Sequence, residues 1–208
     1  MSKYLIGLPA FILAFGVLSV SVLRSAGVRY VFASSSPSPS PSKTEKEINV
    51  DYKFPYPGKI MPDSPLWSLK AGRDIAWYKL SFTPSKKADL ALLFSDKRLL
   101  LAKSLFENKK PDIALSTLTK GEKYLEMAWN NEEMARKNGE DTSAFLLRFA
   151  NASLKHRETI EEMLPLVPED AKPEVIKIED YSKNGYKAAR DALNSKGIPS
   201  PIAPFDGH

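Results

Sequence analysis

Tyr4 to Leu23 is an unbroken run of 20 uncharged, mostly apolar residues. As a helix rising about 1.5 Å per residue it would be roughly 30 Å long, the thickness of a bilayer's hydrocarbon core. A few residues on stands the tract Ser34-Ser35-Ser36-Pro37-Ser38-Pro39-Ser40-Pro41-Ser42. Serine and proline in that pattern bury nothing and hold the chain extended and solvated. The pair divides the chain into a membrane-directed segment, a spacer, and a remainder that has to fold by itself.

Two readings of the N-terminus compete. Lys3 and the α-amine, the apolar run and Val31-Phe32-Ala33 make a signal peptide with cleavage after Ala33. The run is long for that role, and Arg24 and Arg29 lie between it and Ala33, which favours an uncleaved single-pass anchor. Positive charge flanks the run on both sides, so the positive-inside rule gives little orientation. The Ser/Pro spacer resembles a wall-spanning segment and places the remainder outside the cytoplasm, with a secreted form as the alternative if cleavage occurs. The expected domains are a signal segment over 1–33, a linker over 34–53, a folded domain over 54–197 and a mobile tail over 198–208.

The chain has 208 residues, so about 140 remain for one core. It carries 30 Lys and Arg against 25 Asp and Glu, interleaved rather than clustered. That balance does not mark nucleic-acid binding, which wants a basic stripe, but suits loose attraction to anionic lipid or wall polymer. With no cysteine, disulfides, thiolate metal sites and cysteine nucleophiles are excluded together.

Beyond the spacer the apolar residues recur at helical spacing. Asp63-Ser64-Pro65 is a cap-then-proline start, predicting a helix to about Lys79 with Leu66, Leu69, Ile75, Trp77 and Leu80 buried. Thr83-Pro84 starts a second, to about Asn108, with Leu90, Leu93, Phe94, Lys97, Leu100, Leu101 and Leu105 near one stripe. Lys110-Pro111 opens a third whose stripe is Ala114, Leu118, Gly121, Leu125, Ala128 and Ala135, with Gly139 as a left-handed stop. Asp141-Thr142-Ser143 caps a fourth carrying Phe145, Phe149, Ala152, Ile160 and Met163, ended by Pro165 and Pro168. A fifth begins near Pro173 with Val175, Ile178, Ser182, Tyr186, Ala189 and Leu193, and Gly197 stops it. No stretch alternates as a half-buried strand does. The fold class is all-α: an up-and-down bundle of about five helices with antiparallel neighbours.

Tyr56-Pro57-Gly58-x-Ile60-x-Pro62-Asp63-Ser64-Pro65-Leu66-x-x-Leu69-Lys70 resembles the opening of an uncharacterised family of bacterial extracytoplasmic helical domains. The similarity continues through Phe82-Thr83-Pro84-Ser85-Lys86-Lys87-Ala88, Ser95-Asp96-Lys97-Arg98-Leu99 and Lys120 to Leu125, and covers about Phe54 to Asn130. It implies a secreted or anchored helical domain and carries no activity.

Catalytic and metal constellations are not apparent. A carboxylate metal centre on a bundle wants Glu-x-x-His pairs, whereas Ser153 stands three before His156 and His208 is in the tail. Glu122, Glu126, Glu132, Glu133, Glu158, Glu161 and Glu162 read as a solvated face. Glycines are isolated, Ser-Lys pairs are adjacent rather than helically spaced, and no cofactor is implied. Lys86, Lys87, Lys97, Arg98 and Lys103 form a locally basic helix, an interaction surface for anionic lipid or polymer, set against an ordinary solvated flank. Phe54 to Trp67 reads as an arm laid across the bundle, burying Tyr56 and Trp67. The expected function is a non-enzymatic, membrane-tethered interaction or structural module at the bacterial envelope, with an unknown protein partner. The alternative is an envelope sensor or chaperone-like binder of amphipathic segments; an enzyme ranks last.

Overall fold

A computed structural model describes residues 50–205. The apolar run Tyr4–Leu23, the Ala33 cleavage pattern and the Ser/Pro spacer lie outside the described residues. Among the described residues there are five α-helices and no strand: α1 (Trp67–Leu80), α2 (Pro84–Glu107), α3 (Pro111–Lys137), α4 (Ser143–Met163) and α5 (Lys172–Ser195), with a 3₁₀ turn at Leu164–Leu166. No helix among them is long and apolar enough to cross a membrane.

Local chemistry places the boundaries. Thr83 is extended and its hydroxyl accepts the Lys86 amide, while Pro84 occupies the first turn of α2, where no amide partner is needed. Prolines open α3 and α5 in the same way. Gly139 and Gly197 sit at positive φ (86° and 69°), the left-handed stop that a Cβ would strain. Lys109 adopts the same region (φ 56°) in the tight link from α2 to α3, with Lys110 N donating back to Leu105 O.

The four long helices form the bundle. α2 packs mainly on α3, and α4 on α5, each pair joined by a short link as an antiparallel hairpin. The hairpins then meet through α3 against α5 and α2 against α4. α3 and α4, consecutive in the chain, scarcely touch. Sequential neighbours are therefore spatial neighbours at two of the three steps, and the α3–α4 link crosses a diagonal. Five of the six residues in the α3 stripe read from sequence belong to the buried apolar set, and Gly121 is buried between them. The α5 stripe is buried throughout. On α2 the inward set is wider than one stripe and includes Ala88, Ala91, Leu92, Leu99 and Ala102, while Leu90, Leu93 and Leu100 are only partly buried. α2 is enclosed by α3, by α4 and by the segment before α1, so one face cannot serve it.

α1 departs from its expected burial. Leu66, Leu69, Ile75, Trp77 and Leu80, read as core, are exposed, by 73% at Leu69 and 68% at Leu80. The only buried residue of the helix is Asp74. At 100° per residue Trp67, Ala71, Asp74 and Tyr78 share the side that meets the bundle, and Leu69, Ala76 and Leu80 fall opposite. The expected cap does not form: the helix begins at Trp67 with Leu66 at its N-cap and no side-chain cap, because Asp63-Ser64-Pro65 makes a separate turn in which Trp67 N bonds Ser64 O and Leu66 N bonds Ser64 Oγ.

The segment before α1 is anchored earlier than expected. Val50 is buried, and Tyr52 and Phe54 lie partly buried against the bundle, whereas Tyr56 is 70% exposed. Lys70 Nζ donates to Pro57 O and Ile60 O, tying the next stretch to α1. At the other end, Ile198 to Phe205 lies back on the core, with Tyr186 Oη donating to Pro201 O at 2.6 Å and the Phe205 ring 4.1 Å from the Arg157 guanidinium.

Candidate functional site

Ionisable side chains meet inside the bundle. His156 of α4 is fully buried, its Nδ1 2.7 Å from Glu122 Oε1 on α3 and its Nε2 3.0 Å from Asp96 Oδ1 on α2. Three helices thus converge on one imidazole. Burial by itself would lower the His156 pKa, but the Glu122 charge and hydrogen bonds to Asp96 and Glu122 raise it to about 9. The ring is held as an imidazolium that donates from both nitrogens. Tyr52 Oη closes the far side of Asp96 at 2.8 Å, and the Phe54 ring stands edge-on to the imidazole at 5.6 Å. Burial, then Asp96, raise the Tyr52 phenol's pKa, so the hydroxyl keeps its proton and its donor role. Glu158 Oε2 accepts the Val50 amide at 3.0 Å while Lys155 pairs with its other oxygen at 2.6 Å.

These contacts correct the reading of the glutamates as a solvated face: Glu122, Glu132 and Glu158 are buried, as is Glu179. Glu132 is held by Arg136 Nε at 3.1 Å and by the Thr142 hydroxyl at 2.6 Å, which fastens the start of α4 to α3. The signal existed in the spacing. Glu122 stands four after Leu118 and three before Leu125, and Glu132 stands four after Ala128 and three before Ala135, so both lie on the α3 stripe. His156 lies between Ala152 and Ile160 in the same way.

The arrangement clamps more than it reacts. An imidazole bonded at both nitrogens and shut from solvent has no free edge for a substrate proton. Among the described residues no three His, Asp or Glu side chains are arranged to hold a metal. Here the ring separates its two carboxylates.

The five basic residues expected to share one surface are split. Lys86 is exposed, and Lys87 is partly buried with its ammonium 5.9 Å from the Tyr78 ring of α1. Lys97 is partly buried, and Lys103 pairs with Glu162 at 2.6 Å across to α4. Arg98 leaves the surface altogether. It is buried, its guanidinium 4.4 Å from the Tyr124 ring and 5.9 Å from that of Trp67, and burial lowers its pKa. A face-up basic patch therefore does not include it.

What sequence reasoning missed is the outer face of α1. Leu66, Leu69, Ile75, Trp77 and Leu80 are exposed together, and Phe82, in the link to α2, is 91% exposed. Exposed Arg73 and Lys79 stand among them, with Lys86 just beyond. The contacts of α1 to the bundle include polar ones: Tyr78 packs against the core while its Oη accepts from Asn131 Nδ2 at 2.8 Å, and Arg98 and Lys87 lie over the Trp67 and Tyr78 rings. Single exposed apolar residues are ordinary; six within 17 positions leave the solvent side of α1 unusually rich in apolar side chains.

Residues 59–170 match a family described as a domain of unknown function (DUF5667). No curated protein matches the chain, and no solved structure does.

Proposed function

Because the chain belongs to the DUF5667 family, whose description gives no activity, we propose a function from physical features: a membrane-tethered, non-enzymatic docking module outside the cytoplasm. The Tyr4–Leu23 run holds it to the bilayer, the Ser/Pro spacer sets its reach, and the outer face of α1 lies on the anionic surface of that same membrane. The observation that carries this reading is the row Leu69, Ala76, Leu80 and Phe82 turned to solvent beside Arg73, Lys79 and Lys86.

The physics favours a lipid surface as the occupant. Apolar side chains between basic ones are the pattern of a helix lying at the headgroup boundary. Each large apolar side chain buried there contributes about 1.5–3 kcal/mol, and each nearby Lys or Arg about 1 kcal/mol against anionic lipid. Tethering makes the encounter intramolecular, so a modest surface affinity suffices.

The test uses the full chain reconstituted with vesicles whose acyl chains carry bromine, a contact quencher of tryptophan. In phosphatidylglycerol vesicles Trp77 fluorescence is expected to be quenched, and Trp77→Phe removes the quenched component while Trp129 is spared. Leu69→Ser with Leu80→Ser restores the emission. Unquenched Trp77 in both anionic and neutral vesicles sinks the reading.

A further inference from the structure

A second feature lies elsewhere on the bundle and stands independently of the membrane reading. Between α4 and α5 runs a cavity of about 230 Å³, several times the ~30 Å³ a water occupies in the liquid. Arg157 lines it from α4; Lys183, Lys187 and Arg190 line it from α5. The α5 residues are four and three apart, so one helix face presents all three cations.

The groove owes its shape to small side chains. A Cβ on Gly185 would lie 3.1 Å from Ser153 Oγ and 3.3 Å from the Phe149 ring, so glycine lets α5 approach α4 here. Ser153 is fully buried, lines the cavity, and its hydroxyl has no hydrogen-bond partner among the described residues. A buried hydroxyl without a partner costs about 1–3 kcal/mol, which a ligand oxygen would relieve.

Charge is unevenly satisfied. Arg157 pairs with Glu161 at 3.0 Å and with Glu179 at 3.3 Å, and Lys183 shares Glu179 at 3.1 Å. Arg190 pairs with its chain neighbour Asp191 at 3.3 Å, an exposed pair, and its guanidinium lies 6.0 Å from the Tyr186 ring. Lys187 is exposed and has no ion-pair partner among the described residues. The rim is left positive above a floor that offers a donor.

We infer that the groove between α4 and α5 is a binding site for a phosphate-type oxyanion, held by Lys187 and Arg190 at the rim and met by the Ser153 hydroxyl below. Guanidinium, ammonium and hydroxyl donors converging from three side chains can each take a separate oxygen of a phosphate. Phe205, stacked on Arg157, keeps that guanidinium from swinging out. The phosphate can be free or belong to a lipid headgroup.

The experiment titrates the full chain in neutral detergent with inorganic phosphate and, separately, with glycerophosphoglycerol, the headgroup of phosphatidylglycerol freed of its acyl chains. Saturable binding of either, read by ³¹P line broadening, supports the site and says which source it takes. Lys187→Glu with Arg190→Glu, both away from the core, should weaken binding at least about tenfold, the equivalent of roughly 1.4 kcal/mol, with the melting temperature held. Gly185→Ala, which crowds Ser153, should weaken it as well, and Lys187→Arg should preserve it. No saturable binding of either probe, or binding unchanged in the double variant, overturns the proposal.

Discussion

The bundle α2–α5 and the helix α1 solve opposite problems with the same vocabulary. In the bundle, apolar stripes face inward and the charges that follow them in are matched, His156 between Glu122 and Asp96 above all. In α1 the one buried residue is an aspartate, and the leucines face water. Burial in a bundle is decided by how many neighbours surround a helix. α2 has neighbours on three sides and buries even Arg98; α1 has one side covered and buries almost nothing. The difference teaches that α1 is displayed by the bundle rather than part of its core. Substitutions can break that contrast or sharpen it.

The largest effect belongs to the clamp. His156→Ala leaves Glu122 and Asp96 buried without their cation, and removing one partner of a buried ion pair costs about 3–5 kcal/mol. Denaturant unfolding of the full chain should register that loss with helicity otherwise retained. Replacing Asp96, Glu122 and His156 together by leucine or methionine should recover most of it, because paired buried charges seldom outperform apolar packing. A triple variant as unstable as His156→Ala would mean that the charges do something packing cannot.

Acidity offers the next test. His156 is raised to about 9 in the folded chain, against ~6.5 unfolded. A raised basic group contributes stability that is fully present below the unfolded pKa and is lost as pH rises through the folded one. The melting temperature should therefore fall between about pH 6.5 and 9, and the fall should vanish in His156→Ala. A profile equally steep in the variant assigns the slope to other groups.

Much of this architecture was legible and some was not, for identifiable reasons. Thr83-Pro84, Lys110-Pro111, Gly139 and Gly197 act through backbone chemistry within a few residues, and the structure places helix ends beside each of them. The stripes of α3 and α5 were readable because each of these helices turns one face to the core. Glu122 and His156 were readable in principle, since they stand on their stripes, but a polar residue on a stripe declares itself only when its partner is known. Asp96 is supplied by a helix 60 positions from His156. The outer face of α1 was hidden for the converse reason: spacing counts apolar residues and says nothing of whether another helix arrives to cover them. The Tyr52 and Val50 contacts fell within what composition marks as linker, because an extended strap has no periodicity to show.

Two glycines turn the contrast into opposite signs. Gly121 lies where α2 and α3 cross, and a Cβ there would meet Arg98 Cβ at 3.2 Å, beside Ser95 whose hydroxyl bonds the Gly121 carbonyl at 2.8 Å. Gly121→Val should destabilise by about 1–3 kcal/mol through overpacking. Gly72, inside α1, has no atom within 4 Å of such a Cβ. Gly72→Ala should instead stabilise α1 by up to about 1 kcal/mol, seen as slower amide exchange confined to that helix. Equal signs at the two sites would erase the distinction between core and displayed helix.

The smallest expected effect is the most telling. Leu69 and Leu80 are 73% and 68% exposed, so replacing both by serine removes little buried area. The change in unfolding free energy should stay within about 1 kcal/mol, the range of two ordinary surface substitutions. Leucine in a helix of the bundle, such as Leu118 or Leu125, is fully buried, and truncating either to alanine costs about 2–5 kcal/mol. If the double serine variant nonetheless loses stability on the scale of Leu118→Ala, the leucines of α1 are covered in the free chain, by a second copy or by residues outside the described ones, and the outer face is not free to meet a membrane. If stability holds while quenching of Trp77 by brominated lipid disappears, those side chains serve contact beyond the fold, and their exposure is what the rest of the bundle holds in place.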